Sequence, residues 1–208
     1  MTTEFPAPTT TPAEILEAWL PAQVAKESEK LSGGSPCLRV TLSGIGGGQW
    51  DLFLDDGALM VEPMVFIPGA PRPGDPDVWL RLSVQDFQAV FHGDGDLPDF
   101  SLRHFDLSTL WNPGAADLEA FQKLEGRIRF EVCGRRHRRF SLDLAFGRQG
   151  MLAGRPKTIV SVDGGTCEKL SRRTINPLQA LLSGQLRVEG DKGLAMQVLL
   201  LTASRLRG

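Results

Sequence analysis

The sequence predicts an α+β fold in which an antiparallel sheet, or sheets, is covered on one face by helices. Three observations carry this. Apolar residues alternate at period two in QWDLFLD (49–55), VWLRL (78–82) and RFSLDLAF (139–146), as in strands with one buried face. Segments with apolar residues three and four apart follow directly on strands, as after Ser83. The order strand, hairpin, strand, loop, strand, helix occurs twice along the 208 residues, which suggests internal duplication of one unit.

Each element has its own signal. Residues 1–12, rich in Thr and Pro, are expected to be a mobile tail. Thr11-Pro12-Ala13-Glu14 starts a helix with Pro at its first position, and Ile15, Leu16, Trp19, Leu20, Val24 and Leu31 keep helical spacing despite Pro21 until Gly33-Gly34 ends it. The first half continues with strand LRVTL (38–42), a glycine turn, strand 49–55, the Asp56-Gly57 turn and strand ALMVEPMVF (58–66). A Pro/Gly loop (68–76) leads to strand 78–82 and a helix from Ser83, with Phe87, Val90 and Phe91 on one face, Ser83 as cap and Asp86 in the first turn. The second half opens with a helix around Ala115 to Leu124 and strand Arg127 to Val132. The RRHRR turn, strand 139–146, strand KTIVSV (157–162) and a polar helix through Arg173 follow. A short helix from Asn176-Pro177 to Gly184, strand Gln185 to Glu189 and a final helix from Lys192 to Arg205 close the chain. Two units are expected, 13–125 and 126–208, with one continuous domain as the alternative. Trp50, Leu52, Leu54, Val78, Leu80, Leu82, Phe140, Leu142, Leu144 and Phe146 point inward. Asp51, Arg81, Arg127, Arg129, Glu131, Ser141 and Asp143 mark an opposite face expected to be largely wet.

Composition excludes several function classes. With 25 acidic and 23 basic side chains and a pI near 5.9, the chain has no general attraction for nucleic acid. Apolar runs such as Val198 to Leu201 fall far short of the ~20 residues that span a bilayer, and no charged-then-apolar leader opens the chain. A cytoplasmic location is the expectation. Cys37, Cys133 and Cys167 form no Cys-x-x-Cys pair, and His92, His104 and His137 are scattered, so neither a disulfide framework nor a metal site is expected. There is no Tyr and no Gly-x-Ser-x-Gly nucleophile elbow. Gly44 to Gly48 precedes a strand rather than a helix, so it is a hairpin turn and not a phosphate loop. Asp94-Gly95-Asp96 lacks the spacing of a calcium loop. The RRHRR run (135–139) suits a solvated turn, with at most transient contact with a membrane surface. No catalytic residue, metal or cofactor is expected.

Asn176-Pro177-Leu178-Gln179-Ala180-Leu181-Leu182-Ser183-Gly184-Gln185-Leu186-Arg187-Val188-Glu189-Gly190-Asp191-Lys192-Gly193-Leu194-Ala195-Met196 resembles the close of sterol carrier protein type two domains. There a short helix runs into a Gly-x-Leu-x-Val-x-Gly-Asp strand and then a terminal helix opening Leu-Ala-Met. Trp50-Asp51-Leu52, Asp56-Gly57, and Leu82 to Gly93 with Ser83-Val84-Gln85-Asp86-Phe87 follow the same family's order, and Ala120 to Phe130 resembles its helix into a Gly-x-Leu-x-Val strand. The second copy departs from the pattern, with Gly164-Gly165-Thr166-Cys167 where Asp-Phe is expected, and the C-terminal Arg205-Leu206-Arg207-Gly208 is not a peroxisomal Ser-Lys-Leu signal. The resemblance implies a non-catalytic carrier with an apolar cavity between sheet and helices for a sterol, fatty acyl chain or similar lipid. Its walls would include Phe87, Val90 and Phe91 on one helix and Leu194, Met196, Val198, Leu199 and Leu201 on the last. Such a cavity gains about 0.8 kcal/mol per buried CH₂. The alternative is an accessory or assembly protein that has lost the cavity and contacts a protein partner or a second copy of itself; an enzyme acting on a lipid-like substrate ranks third.

Overall fold

Thr11 opens the first helix with a capping box: its hydroxyl accepts from the Glu14 backbone N–H at 3.2 Å, and the Glu14 carboxylate accepts from the Thr11 N–H at 2.8 Å. The computed structural model describes residues 5–26, 37–64, 76–99, 119–120, 122–147, 150, 154–172 and 174–205. Helix α1 runs through Pro12–Glu14, a wide π turn Ile15–Trp19 and Leu20–Ala25. Pro21 explains the wide turn. It has no N–H to give to Glu17 and its ring would strike that carbonyl, so the Leu20 N–H reaches back five residues to Ile15. The expected stop at Gly33-Gly34 lies outside the described residues. The segment expected to be a mobile tail is tied down from Phe5 onward, because Phe5 packs on Trp19 at 5.4 Å between ring centroids and Pro6 and Pro12 are buried.

Eight strands form one sheet: β1 Leu38–Ser43, β2 Gly48–Asp55, β3 Ala58–Pro63, β4 Val78–Ser83, β5 Gly126–Cys133, β6 Arg139–Phe146, β7 Thr158–Asp163 and β8 Leu186–Glu189. Their order is β3-β2-β1-β4-β6-β5-β7-β8. The hairpins are antiparallel as expected, and both glycine-bearing turns fall where the sequence puts them. At the β2–β3 turn Asp56 and Gly57 both take positive φ, the conformation that matches strand twist. The sheet is mixed, however, since β4 lies parallel to β1 and β7 parallel to β5. Both β4 and β7 return by a longer connection than a hairpin turn, which is what a parallel neighbour requires.

Each parallel return leads straight into a helix. After β4, Ser83 accepts from the Asp86 N–H and starts α2 (Val84–His92); after β7, Asp163 accepts from the Thr166 N–H and starts α3 (Gly164–Ser171). The groups β1, β2, β4, α2 and β5, β6, β7, α3 thus share strand pairing, with β3 added between β2 and β4 along the chain in the first, and β4 joins β6 to make the sheet continuous. Helices α4 (Pro177–Leu182) and α5 (Lys192–Arg205) cover the second half as α1 covers the first. Of the helix expected over 115–124, residues 119, 120 and 122 are described and helical.

The RRHRR turn is less solvated than its composition suggests. Arg138 folds back into the protein, its guanidinium pairing with Asp86 of α2 at 2.8 Å and with Asp94 beyond that helix at 2.9 Å. Burial works against the Arg138 charge, but these two carboxylates outweigh it and raise the group above its ordinary value. Its neighbours Arg135, Arg136, His137 and Arg139 are exposed. Replacing Arg138 by Ala strands two carboxylates and is expected to cost about 3 kcal/mol, read as a lower denaturant midpoint. Arg136→Ala, two positions away, is expected to leave that midpoint nearly unchanged.

Candidate functional site

On the helical side the sheet presents one apolar face. Val40, Leu42, Trp50, Leu52, Leu59 and Leu82 pack with Ile15, Leu16, Leu20 and Val24 of α1 and Phe87 and Phe91 of α2. Ile128, Phe146, Val160 and Leu186 pack with Ala180 of α4 and Leu194, Ala195 and Val198 of α5. Leu142 touches the first cluster and also a small one formed by Ala89, Leu97, Val132 and Phe140. The expected lining residues therefore separate into two groups. Phe87 and Phe91 stack at 4.8 Å under Trp19, whose ring meets Phe91 edge-on at 5.7 Å, and Val90 lies partly buried beside them. Leu194 and Val198 are buried in the second group, while Leu199 and Leu201 are partly buried against it and Met196 is half-buried. Leu178 and Leu182 on α4 and Leu200 on α5 are exposed.

The C-terminal motif has a local physical basis. Asn176 caps α4 by accepting from the Gln179 N–H at 2.7 Å. Leu186 is buried and Val188 packs beside it, so the alternate apolar positions of β8 face the core. Gly190, at φ 88°, sits so close to the Lys157 carbonyl that a Cβ there would collide with it. Asp191 then accepts from the Leu194 N–H at 3.0 Å, and its own N–H donates to Thr158. One short segment thus ends a helix, pairs a strand and aims α5 across the sheet.

The opposite face is not the wet surface the alternation predicts. Arg39 and Asp51, directly opposed on β1 and β2, form a bidentate pair at 2.7 Å with both residues buried. Asp143 of β6 accepts from Arg129 at 2.6 Å and 3.1 Å and from Arg127 at 3.0 Å. Arg127 also donates to the Gly154 carbonyl, so the loop before β7 closes over it. Burial by itself would raise the Asp143 carboxyl; the two guanidiniums outweigh it and hold the group below its ordinary 3.8. Strand alternation in the sequence marks Asp51, Arg127, Arg129 and Asp143 but misses Arg39, and it does not give their partners, which depend on register.

Two concavities lie on polar surface. One of about 430 Å³ opens on this ion-paired face, between Arg81, Ser83, Arg127, Arg129, Ser141 and Asp143 among others. Another of about 390 Å³ lies between residues 95–99, Gly134-Arg135 and the start of α3. Among the described residues no cluster of His, Cys, Asp and Glu could hold a metal ion. Burial pushes the Cys167 thiol up to about 11 and raises Cys37 as well, so both stay protonated near neutral pH and are poor nucleophiles.

The fold is thus an α+β domain with a one-sided helical cover and an apolar layer beneath its C-terminal helix. Residues 107–201 match the model of the SCP-2 sterol transfer family, so the resemblance carried by the C-terminal segment holds. The matched region begins ahead of the unit boundary expected at 126 and takes in β5 to β8 and most of α5. Hydroxysteroid dehydrogenase-like protein 2 of Xenopus tropicalis is 32% identical over 84 residues, 38% of this chain and 20% of that protein. Its counterpart in Xenopus laevis is 31% identical over the same length. The chain therefore spans about a fifth of these curated relatives. Among solved structures, sterol carrier protein 2 from Yarrowia lipolytica is 18% identical, with a TM-score of 0.31 over 43% of this chain and 77% of that one. The sterol carrier protein domain 2 of Helicoverpa armigera gives 17% and 0.33 over 43% and 75%. Among the described residues no helix is long and apolar enough to cross a membrane.

Asp143→Asn removes the charge shared by two guanidiniums and is expected to destabilise the protein by about 3–5 kcal/mol at neutral pH. Because the folded-state pKa of Asp143 is depressed, its contribution is fully present above the unfolded value of about 3.9 and disappears as pH falls through the lower folded value. Denaturant titrations from pH 7 to pH 2 are therefore expected to show the gap between the two proteins closing below about pH 4.

Proposed function

We propose that the protein binds an apolar ligand, a sterol, fatty acyl chain or similar lipid, and acts as a carrier without catalysing a reaction. The observation that carries this reading is the match of residues 107–201 to the SCP-2 sterol transfer family. The helical side supports it. On α5, buried Leu194 and Val198 alternate with partly buried Met196, Leu199 and Leu201, side chains that can shift to admit an acyl chain without exposing polar backbone. Phe87, Val90 and Phe91 would play the same part for the first half. Its relation to the second, as duplicated units over 13–125 and 126–208, rests on shared strand pairing and paired caps. The protonated thiols fit a container better than a catalyst. A second reading, contact with a protein partner or another copy of this chain, is favoured by the exposed Leu178, Leu182 and Leu200.

The carrier reading is tested by native mass spectrometry and organic extraction of the gently purified protein, followed by titration with a fluorescent fatty acid. Saturable uptake is expected, with Leu199→Asp weakening it by about tenfold or more through the cost of a buried carboxylate while the circular dichroism spectrum stays unchanged. A protein that carries no lipid and accepts none refutes the reading. Under the second reading, sedimentation would report an oligomer that Leu182→Glu dissociates.

A further inference from the structure

The concavity on the ion-paired face lies across the sheet from the proposed lipid layer and has a different chemistry. Arg81 and Arg129 occupy the positions directly opposite Asp143 on its two neighbouring strands, with Arg127 diagonal to it. Asp143 gives its oxygens to Arg127 and Arg129. Arg81 is left to lie over the Trp79 ring at 4.6 Å, and its guanidinium makes no hydrogen bond or ion pair with any described residue. The other acidic group at the rim, Asp86, is paired with Arg138. Burial and the like charge of Arg127 press against the Arg81 charge and outweigh the attraction of Asp143. A half-buried guanidinium so placed keeps its N–H donors free for a further anion.

The hydroxyls around it are arranged as donors. Thr41 Oγ1 accepts from the Trp79 indole N–H at 2.8 Å, and Ser83 Oγ accepts from the Asp86 backbone N–H at 3.0 Å. Each hydroxyl thus accepts one hydrogen bond, which turns its proton outward to an acceptor. Ser141 stands on the same wall. The space, about 430 Å³, is of small-molecule size.

We infer that this concavity binds a small soluble oxyanion, a phosphate or carboxylate group, with Arg81 as the principal ligand and Thr41, Ser83 and Ser141 as hydroxyl donors. The guanidinium fork matches two oxygens of such a group, and the Trp79 face holds it in plane. The site is separate from the apolar layer and stands whether or not the protein carries lipid.

Calorimetric titration of the full chain with inorganic phosphate, and separately with acetate, tests the inference. One saturable site per chain is expected for at least one of the two. Arg81→Gln is expected to weaken it by about tenfold or more and Arg81→Lys by less, as fits a charge-assisted contact that also uses the fork. Ser141→Ala, a smaller change that keeps every ion pair, is expected to weaken it severalfold, and Arg136→Gln on the exposed turn to leave it unchanged. Absence of saturable binding to either anion overturns the inference. So does binding that Arg81→Gln and Ser141→Ala leave intact, or association seen only with vesicles of anionic lipid.

Discussion

The pairing of β4 with β6 is the constraint on which the rest of this structure depends. Four opposed residue pairs, Val78 with Phe146, Trp79 with Ala145, Leu80 with Leu144 and Arg81 with Asp143, join two groups of four strands into one sheet. Because side chains alternate at period two, this register decides both faces at once. It aligns Val78 and Leu80 with Phe146 and Leu144, so that the apolar layers under α1 and α5 belong to one surface. It also sets Arg81 beside Asp143. A slip of one residue would turn valine and leucine toward the charged face and leave Asp143 among apolar groups.

The two faces carry different kinds of stability. The helical side is held by burial of side chains such as Ile128, Phe146 and Val198, each almost inaccessible to solvent, a favourable term that tolerates exchange among residues of similar size. The other side is held by guanidinium and carboxylate groups whose removal from water is costly unless every partner is present. The apolar side tolerates side-chain exchange, while a polar side of fixed partners keeps the sheet in register. Arg138 extends the same device to the end of the central strands, tying the β5–β6 turn to both ends of α2.

Local signals were legible wherever a few adjacent residues decide the outcome. The helix starts at Thr11, Ser83 and Asn176 and the Asp56-Gly57 turn lie where sequence alone places them, since each acts on backbone groups no more than three residues away. The same locality accounts for the strands and for the family resemblance, which rests on a segment where helix end, strand and helix start follow within a few residues. Composition misled where partners are distant. The tail looked mobile because Thr and Pro dominate it, yet Phe5 finds Trp19; the RRHRR turn looked uniformly solvated, yet Arg138 finds Asp86, 52 positions earlier by their own numbers.

The sequence by itself determined the α+β class, the order of strands and helices, the apolar side of each strand and the membership of the C-terminal segment in a recognisable pattern, because period-two alternation and capping are written in adjacent residues. Only the tertiary structure decided that β4 and β7 return parallel to β1 and β5, that the two groups of strands merge at β4 and β6, and that the polar face is a network of buried ion pairs with a recess at Arg81. Those outcomes depend on which strands become neighbours and in what register. That choice is made by the summed burial of side chains far apart in the chain, and no short window of sequence contains it.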